Sequence, residues 1–309
     1  MFRLAHISDV HLGPLPAVAY RELASKRIVG YVNWQRNRRR LMHEGVLGSV
    51  LDGIAAAAPD HLAVTGDLVN LALDGEIAAA RLWLEALGAP HDVSVVPGNH
   101  DAYVPGAFDR ICHAWGAWMA GDGVRLPIGR SAFPYLRVRG KVALIGISTA
   151  RATAPFMANG FFEDGQARRT AQLLDRASAE GLYRLIMIHH PPVRRAVPQH
   201  KRLLGIGRFQ KLVLRHGADL VLHGHSHVPS LYWIAGRDGA IPVVGVAAGG
   251  QGLHGHHPPA QFNLLEIAGE PGAWRTRLSR RSYAGAAIPL VEVESRELAH
   301  GRRDPVEAD

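Results

Sequence analysis

The sequence contains very little cysteine and no long apolar segment. Cys112 is the single cysteine in 309 residues, which excludes an internal disulfide and fits a reducing compartment. Within "FDRICHAWGAW" we expect it to pack as a small hydrophobic residue. No run reaches the roughly 18–20 apolar residues that a membrane-spanning helix needs, and "MFRLAHISDVHL" lacks the pattern of a signal peptide. These absences predict a cytoplasmic protein.

The composition is that of a globular chain with a basic surface. Hydrophobic residues make up 47% of the sequence, charged residues make up 20%, and the formal net charge is +8. A chain of this length can form one large domain or two small ones. The positive charge favours anionic partners such as phosphates, nucleotides or acidic lipid headgroups, although an arginine-rich soluble surface has the same composition.

Short apolar runs alternate with longer amphipathic segments, a pattern typical of an α/β protein. Amphipathic helices are predicted over 41–57, 75–88, 106–120, 165–180 and 207–216. Buried strands are predicted over 2–8, 61–66, 92–98, 141–148, 183–188 and 218–222, with four more over 229–236, 240–247, 261–267 and 273–283. We therefore predict one domain over 1–291 with an insertion at about 17–41, and a charged tail at 292–309.

The predicted strands end in carboxylate, amide and imidazole side chains, with no thiolate among them. Because strand ends meet at one edge of an α/β sheet, these side chains should lie together. Such a mixed donor set suits Mn²⁺, Fe²⁺, Zn²⁺, Co²⁺ or Ni²⁺ and suits Ca²⁺ poorly. The candidate ligands are Asp9, His11, Asp67, Asn99, His189, His225 and His227.

The number of candidate ligands predicts two metal ions. A single zinc ion takes three or four protein ligands, so seven donors suit two ions that share a bridging carboxylate. Such a pair clamps a phosphate and lowers the pKa of a shared water toward neutrality.

Five short blocks carry a resemblance to a known family. They are "DVH" at 9–11, "GD" at 66–67, "GNHD" at 98–101, "HHPP" at 189–192 and "GHSH" at 224–227. In this order they resemble the signature of the calcineurin-like metallophosphoesterase superfamily, and "GNHD" with "HHPP" looks most like its bacterial phosphodiesterases. One block such as "GD" is common by chance, whereas five in register after predicted strands are specific.

The resemblance implies a role for each candidate ligand. The ions would be divalent, with manganese, iron (as Fe²⁺ or Fe³⁺) and zinc as candidates. Asp9, His11 and His227 would bind the first ion, Asn99, His189 and His225 the second, and Asp67 would bridge them.

The resemblance also implies roles beside the metals. His100 would be catalytic, because it would face the substrate and either stabilise the phosphate charge or protonate the leaving oxygen. Asp101 would orient His100. His190 would lie outside the ligand set, since related proteins vary at that position.

The implied fold is a four-layer α/β/β/α sandwich of two mixed sheets with the metals at one edge. The implied function is hydrolysis of a small phosphodiester, of cyclic-nucleotide or glycerophosphodiester type, through attack by a hydroxide that the two ions share. One alternative is a lipid-linked phosphate or pyrophosphate substrate. Another is a non-catalytic scaffold like the retromer subunit of this fold, but that protein has lost key site residues that are present here.

The insertion "YRELASKRIVGYVNWQRNRRRL" follows directly after the first motif. It carries seven basic residues against the single acid Glu22, and Tyr20, Ala24, Ile28 and Tyr31 recur at helical spacing. It is interpreted as an ordinary surface helix, as a basic lid over the site, or as a patch that binds an anionic lipid surface at the inner face of the membrane. The absence of any known nucleic-acid-binding module argues against nucleic acid. Its basic residues are Arg21, Lys26, Arg27, Arg36, Arg38, Arg39 and Arg40.

The other histidines have simpler interpretations. His6, His61, His91 and His223 adjoin predicted strands and are interpreted as hydrogen-bonded core residues. The tract "GLHGHHPP" at 252–259 is interpreted as a glycine- and proline-rich loop that borders the site. It contributes His254, His256 and His257.

Overall fold

The computed structural model describes residues 1–18, 20–23, 25–36, 44–254 and 256–298. Its helices are α1 (Tyr20–Leu23), α2 (Arg27–Arg36), α3 (Glu44–Ala57), α4 (Asp74–Leu87), α5 (Ala107–Trp115), α6 (Asp164–Ala179) and α7 (Ile206–His216). Its strands are β1 (Phe2–Ile7), β2 (His61–Val64), β3 (Val93–Val95), β4 (Tyr135–Arg139), β5 (Val142–Gly146), β6 (Gly160–Phe161), β7 (Tyr183–Met187), β8 (Leu203–Leu204), β9 (Leu220–His223), β10 (Ser230–Gly236), β11 (Gly239–Gly245), β12 (Gln261–Ala268), β13 (Arg275–Ser282) and β14 (Val291–Leu298).

Two mixed six-stranded sheets form the body of the fold. The first has the order β14-β13-β12-β1-β2-β3, in which β1, β2 and β3 are parallel and β12, β13 and β14 join antiparallel. The second has the order β10-β11-β9-β7-β5-β4, with β11, β9, β7 and β5 parallel and antiparallel strands at both edges. This arrangement confirms the predicted mixed-sheet architecture.

Alternating side chains of the second sheet face two different cores. Leu144 and Leu185 are buried in the core that the two sheets share. Their neighbours Ile145 and Ile186 pack instead in a second core, which includes Phe209 of α7. Since successive residues of a strand point to opposite faces, the second sheet lies between the first sheet and a helical layer. Helix α3 packs against β12 of the first sheet, and α3 and α4 contribute to the same buried cluster as that sheet, as expected for an outer helical layer of the four-layer sandwich.

Strand β4 has no counterpart among the predicted strands. Its arginines suggest a surface segment, but the Arg137 side chain is buried. The Arg137 guanidinium donates to the backbone carbonyls of Ala120, Val93 and Ala117, each over 2.7 Å. These bonds satisfy the buried charge, which the local sequence does not reveal.

The boundary at residue 291 also needs correction. Residues 291–298 form β14, which pairs along β13 at the edge of the first sheet instead of fraying as a charged tail. Arg280 of β13 is 2% exposed and donates to Glu294 of β14 over 2.7 Å. Pairing of the main chain and this ion pair hold a strand whose side chains are mostly exposed. The rest of the predicted tail, 299–309, lies outside the described residues.

The insertion forms two separate helices, α1 and α2. Ile28, one of the residues that recur at helical spacing, has a side chain that is 54% exposed, whereas Trp34 is buried. The basic residues Arg38, Arg39 and Arg40 lie outside the described residues.

Within the described part of the chain, no helix combines the length and the apolar character needed to cross a bilayer.

Candidate metal centre

The ends of five parallel strands bring the seven predicted ligands to one place. Asp9 and His11 follow β1, Asp67 follows β2, and Asn99 follows β3, all in the first sheet. From the second sheet, His189 follows β7, and His225 and His227 follow β9. Six of the seven are buried, and His227 is partly exposed. The site therefore lies where the two sheets meet, and each sheet supplies part of it.

The donor atoms are spaced as ligands of shared ions would be. Asp67 Oδ2 lies 3.4 Å from His189 Nε2 and 3.9 Å from His11 Nε2, and it therefore stands between the two predicted ligand sets. On one side His227 Nε2 lies 3.2 Å from Asp9 Oδ1 and 3.5 Å from His11 Nε2. On the other side His189 Nε2 lies 3.2 Å from Asn99 Oδ1. Metal bonds of about 2.1 Å hold neighbouring ligand atoms roughly 3.0–3.4 Å apart.

The backbone at the candidate ligands is left-handed. Among the described residues, ten non-glycine positions have positive φ, and five of them are Asp9, His11, Asp67, His225 and His227, with φ from 43° to 68°. Such a conformation costs about 1–3 kcal/mol per residue and persists where the surroundings enforce it, often at functional sites. Aspartate and histidine tolerate it better than most residues do. The strand ends thus turn sharply to aim these side chains at a common point.

Backbone carbonyls fix the orientation of three of the imidazoles. His11 Nδ1 lies 3.1 Å from Val69 O, and His189 Nδ1 lies 2.6 Å from Thr65 O, which leaves each Nε2 for a metal. In His225 the two nitrogens exchange these roles: Nε2 lies 2.9 Å from Lys201 O, and Nδ1 is the nitrogen available to a metal. Ligating histidines commonly donate their second N–H in this way, which fixes both tautomer and ring direction.

The chemistry of the donor set fits divalent ions. Asp9 Oδ1 is buried, and its close neighbour His227 Nε2, at 3.2 Å, does not have the geometry of a hydrogen bond to it. A buried carboxylate oxygen without a well-formed hydrogen bond is rare unless an ion satisfies it. Although burial alone would raise the pKa of the Asp67 carboxyl, the surrounding His189, His100 and His11 rings hold it well below its usual value. Asp9 behaves alike, with its pKa lowered chiefly by His227 against the effect of burial. Both carboxylates are therefore ionised and available to cations.

The imidazoles respond to the same environment in different ways. Burial opposes a charge on His189, but the carboxylates of Asp67 and Asp9 outweigh it and raise its pKa to about 9. In His225, burial and the neighbouring His190 and His189 rings lower the pKa well below its usual value. A metal at this site therefore competes with a proton on His189 and meets a neutral ring at His225.

Asp101 acts on the backbone that carries Asp67, a contribution that the sequence did not predict. Its carboxylate accepts N–H bonds from Asp67, Leu68 and Gly98, each at 2.8 Å, and from Val69 at 3.2 Å. The His100 ring is instead held by the backbone: its Nδ1 lies 2.6 Å from Asn70 O. Asp101 thus shapes the loop at residues 67–69, and its orientation of His100 stays a prediction.

His100 lies beside the ligands with one nitrogen directed to the site. Its Nδ1 is held by Asn70 O, and a ring nitrogen of His100 lies within 4.8 Å of ligand atoms of Asp67 and His11. The ring contacts His11 edge to face at 4.8 Å and stacks on Tyr103 at 5.4 Å between centroids. The His100 backbone N–H donates to Asp67 Oδ1 over 2.7 Å, so this residue also steadies the proposed bridging carboxylate.

Glu76 supports the site in a way the sequence does not suggest. This buried carboxylate accepts N–H bonds from Asn70 at 2.8 Å and from Leu71 and Leu73 at 3.0 Å each. It therefore holds the loop whose Asn70 carbonyl binds His100. The sequence feature that could have identified Glu76 is its place as an acid in the first turn of α4, since such residues often bind the free N–H groups there.

The histidines assigned outside the ligand set make protein hydrogen bonds. His190 Nδ1 lies 2.7 Å from Thr149 Oγ1 and its Nε2 lies 3.1 Å from Ala158 O, so both nitrogens are engaged. Burial lowers the pKa of His223 to about 4, with its Nε2 3.2 Å from Ser230 Oγ. His6 is buried and bonds Thr65 Oγ1 over 2.9 Å. The prediction for His91 is wrong, because its side chain is exposed and pairs with Asp92 before β3 begins. Cys112 is fully buried among apolar residues, as predicted.

The histidine-rich loop borders the site. The His257 ring lies 5.6 Å from the His227 ring between centroids. His254 and His256 are exposed. The sequence-based placement of the loop beside the site is therefore correct for His257.

A cleft of about 260 Å³ opens beside His100. Residues of five segments line it: the insertion from Lys26 through α2, and residues 70–71, 99–103, 156–158 and 200–201. This volume is slightly below the range of about 300–1,000 Å³ that is typical of small-molecule sites. The cleft can hold one substituent of a small substrate.

Comparisons with known proteins agree with this geometry. Residues 2–229 match the family model described as calcineurin-like phosphoesterase. A probable cyclic nucleotide phosphodiesterase of a Synechococcus strain is 26% identical over 291 residues, which cover 89% of this chain and 91% of that protein.

Solved structures with the same fold have low sequence identity. A dimetal phosphatase from Danio rerio superposes with a TM-score of 0.61 at 13% identity, covering 97% of this chain and 99% of that one. A purple acid phosphatase from yellow lupin (Lupinus luteus) gives a TM-score of 0.57 at 14% identity, covering 97% of this chain and 54% of that one. These two likenesses establish the fold.

Proposed function

The chain belongs to the calcineurin-like phosphoesterase family and is a metal-dependent phosphoester hydrolase, and we propose that it hydrolyses a small phosphodiester. The observation that carries the proposal is His100, whose ring is held by Asn70 O and has a nitrogen within 4.8 Å of ligand atoms of Asp67 and His11. The relative named as a probable cyclic nucleotide phosphodiesterase, aligned over 91% of its length, supports this substrate class.

The proposed ligands divide into two sets about a shared carboxylate. Asp9, His11 and His227 would hold one ion, Asn99, His189 and His225 the other, and Asp67 would contact both. Two divalent ions bound there would supply a water acidic enough to ionise near neutral pH and would neutralise phosphate charge. The oxygen and imidazole donors favour manganese, iron or zinc.

His100 would deliver the proton that the leaving oxygen requires. Its Nδ1–H stays on Asn70 O, so a second proton can be carried on Nε2 and donated. Glu76 and Asp101 would keep the two loops at this point in place through backbone N–H bonds. The cleft beside His100 would receive the substituent of the oxygen that leaves.

The test is turnover by purified, metal-loaded protein. We expect hydrolysis of bis(4-nitrophenyl) phosphate, and of 3′,5′-cyclic nucleotides or glycerophosphodiesters, at higher kcat/KM than the monoester 4-nitrophenyl phosphate. Chelation should abolish the activity, and Mn²⁺, Fe²⁺ or Zn²⁺ should restore it. Preference for the monoester by more than about tenfold would reject the diester assignment.

A lipid-linked phosphate or pyrophosphate is a second candidate, favoured by exposed apolar residues near the cleft. Ile28 and Val32 on α2 are 54% and 41% exposed, and Phe156, a residue that lines the cleft, is 77% exposed. Together with the basic insertion they could contact an anionic lipid surface, which would place the enzyme at the inner face of the membrane.

Co-sedimentation with anionic vesicles at low salt tests this candidate. If it holds, Ile28→Ser with Val32→Ser should reduce pelleting, while the control Leu214→Ser, at a site 52% exposed on α7, should leave it unchanged. Equal pelleting of wild type with neutral and anionic vesicles, or none with either, would reject lipid docking. A cytoplasmic location suits both candidates.

A further inference from the structure

Helix α2 of the insertion is one wall of the cleft beside His100. Val29, Gly30, Asn33 and Trp34 line the cleft at the three- and four-residue spacing of one helical face. The structure thus favours the lid interpretation of the insertion over that of an ordinary surface helix.

Close packing fixes this wall in place. Arg27 donates from Nε to Leu71 O over 3.0 Å and from Nη2 to Ala72 O over 2.5 Å. A Cβ at Gly30 would overlap Tyr103 Oη and Leu71 Cδ2, so only glycine permits this approach. Since Tyr103 stacks on His100, the wall and the proposed proton donor are in one packed unit.

Lys26 crosses from this wall to the loop on the other side of the cleft. Its ammonium donates to Thr153 Oγ1 over 2.6 Å and to Met157 O over 2.8 Å. Nζ also lies 4.6 Å from the centroid of the Tyr103 ring. The Lys26 ammonium and the His100 ring therefore both contact the Tyr103 ring.

The cleft lining is cationic. Two lysines, Lys26 and Lys201, line it, and among the described residues that line it there is no aspartate or glutamate. Nor does any described carboxylate form an ion pair with Lys26, whose pKa burial lowers to about 8. Lys26 is thus still a cation at pH 7. A partly buried cation of this kind is stabilised by an anion that enters the cleft.

The leaving oxygen must lie next to the group that protonates it, so its substituent extends past His100 into this cleft. We infer that Lys26 is a specificity-determining residue that binds a second anionic group, carried by the alcohol that leaves. The inference rests on the proposed function and narrows it: diesters with an anionic leaving group are favoured over neutral ones, and those with a cationic leaving group such as choline are disfavoured.

Two matched diesters test the inference at pH 7 in the metal-loaded full chain. Methyl 4-carboxyphenyl phosphate has an anionic leaving group, and methyl 4-carbamoylphenyl phosphate has a neutral one of similar shape. We expect wild type to favour the carboxylate by about tenfold in kcat/KM, the effect of one charge-assisted hydrogen bond. The ratio should fall to about one in Lys26→Gln, recover in Lys26→Arg, and shrink at high salt.

Two further variants separate binding from structure. Thr153→Val removes one acceptor of Lys26 but keeps its charge, and the carboxylate preference should persist. Lys141→Gln removes an exposed lysine that pairs with Glu270, and both rates should be unchanged. If Thr153→Val loses the carboxylate preference as fully as Lys26→Gln does, Lys26 serves only to hold α2 against the loop that contains Thr153. That result would overturn the inference.

The two proposals fail differently. Equal kcat/KM for both diesters in wild type, with activity present, overturns the Lys26 inference and leaves phosphodiester hydrolysis intact. No turnover of either diester or of bis(4-nitrophenyl) phosphate by metal-loaded wild type overturns the proposed function itself.

Discussion

The two sheets make unequal contributions to the proposed metal centre. The first sheet provides every carboxylate and amide ligand, Asp9, Asp67 and Asn99, together with His11. The second sheet provides imidazoles alone, from His189, His225 and His227. The ligands from the first sheet form the carboxylate half of the centre and supply permanent negative charge. The ligands from the second sheet form the imidazole half, whose nitrogens can also bind protons. The proposed bridging ligand, Asp67, belongs to the carboxylate half.

The largest expected effect comes from removing the bridging carboxylate. Asp67→Ala should lose both ions and nearly all activity, at least about 10³-fold, because both proposed ligand sets depend on Asp67 and phosphate stabilisation is lost with the ions. His227→Ala, in the imidazole half, should chiefly weaken one ion. Elemental analysis of the purified variants checks this. A single tightly held ion in active wild type would contradict the two-ion scheme.

His100→Ala should separate chemistry from metal binding. We expect it to retain both ions and to lose about 10²–10⁴-fold in kcat, as for a missing general acid. The loss should be smaller for 4-nitrophenyl than for alkyl leaving groups, because the former need little protonation. Equal losses with both would assign His100 to phosphate positioning instead.

Proton competition should distinguish the imidazole half from the carboxylate half. With the pKa of His189 raised to about 9 in the metal-free protein, metal binding must release its proton. Apparent Mn²⁺ affinity should therefore rise with pH by up to about tenfold per unit from pH 6.5 to 8.5. Calorimetric titration in buffers of different ionisation enthalpy would count the protons released. A pH-independent affinity would argue against His189 as a ligand.

Asp101→Asn tests whether the backbone bonds that support the carboxylate half affect metal affinity as strongly as a ligand does. An amide can accept fewer of the four N–H bonds, so the 67–69 loop should lose its fixed shape. We expect metal affinity to fall about 10–100-fold, with much of kcat restored at saturating metal. Retained affinity with a loss confined to kcat would return Asp101 to the role of orienting His100.

The smallest effect should appear at the far edge of the first sheet. Glu294→Ala leaves the buried Arg280 without its carboxylate and should cost about 1–3 kcal/mol of the free energy of unfolding, with activity preserved. The control Glu292→Ala, whose ion pair with Arg281 spans 4.0 Å and is exposed, should cost less than about 0.5 kcal/mol. Chemical denaturation measures both. Equal effects would show that β14 does not depend on the buried pair.

The sequence predicted features that depend on local chemistry and missed those that depend on distant packing. The candidate ligands followed from donor types at strand ends, and their division between two ions followed from the family resemblance; both stay predictions. The part played by Asp101 was missed because its four backbone donors include three residues over thirty positions away. Likewise, Arg137 suggests a surface residue until the carbonyls around it are known, and the face that α2 turns inward depends on how closely Gly30 fits Tyr103.

The left-handed backbone restricts how this centre could evolve. Five of the seven candidate ligands have positive φ, where aspartate, asparagine, histidine and glycine are tolerated and most other residues add roughly 1–2 kcal/mol of strain. A mutation to cysteine or glutamate would bear that cost in addition to any change in metal preference. A single substitution that adapts a ligand position to a different metal is therefore favoured when it exchanges aspartate, asparagine and histidine for one another. These residues offer only hard and borderline donor atoms. Backbone shape thus limits metal choice over evolutionary time as firmly as the ligands set it in the present protein.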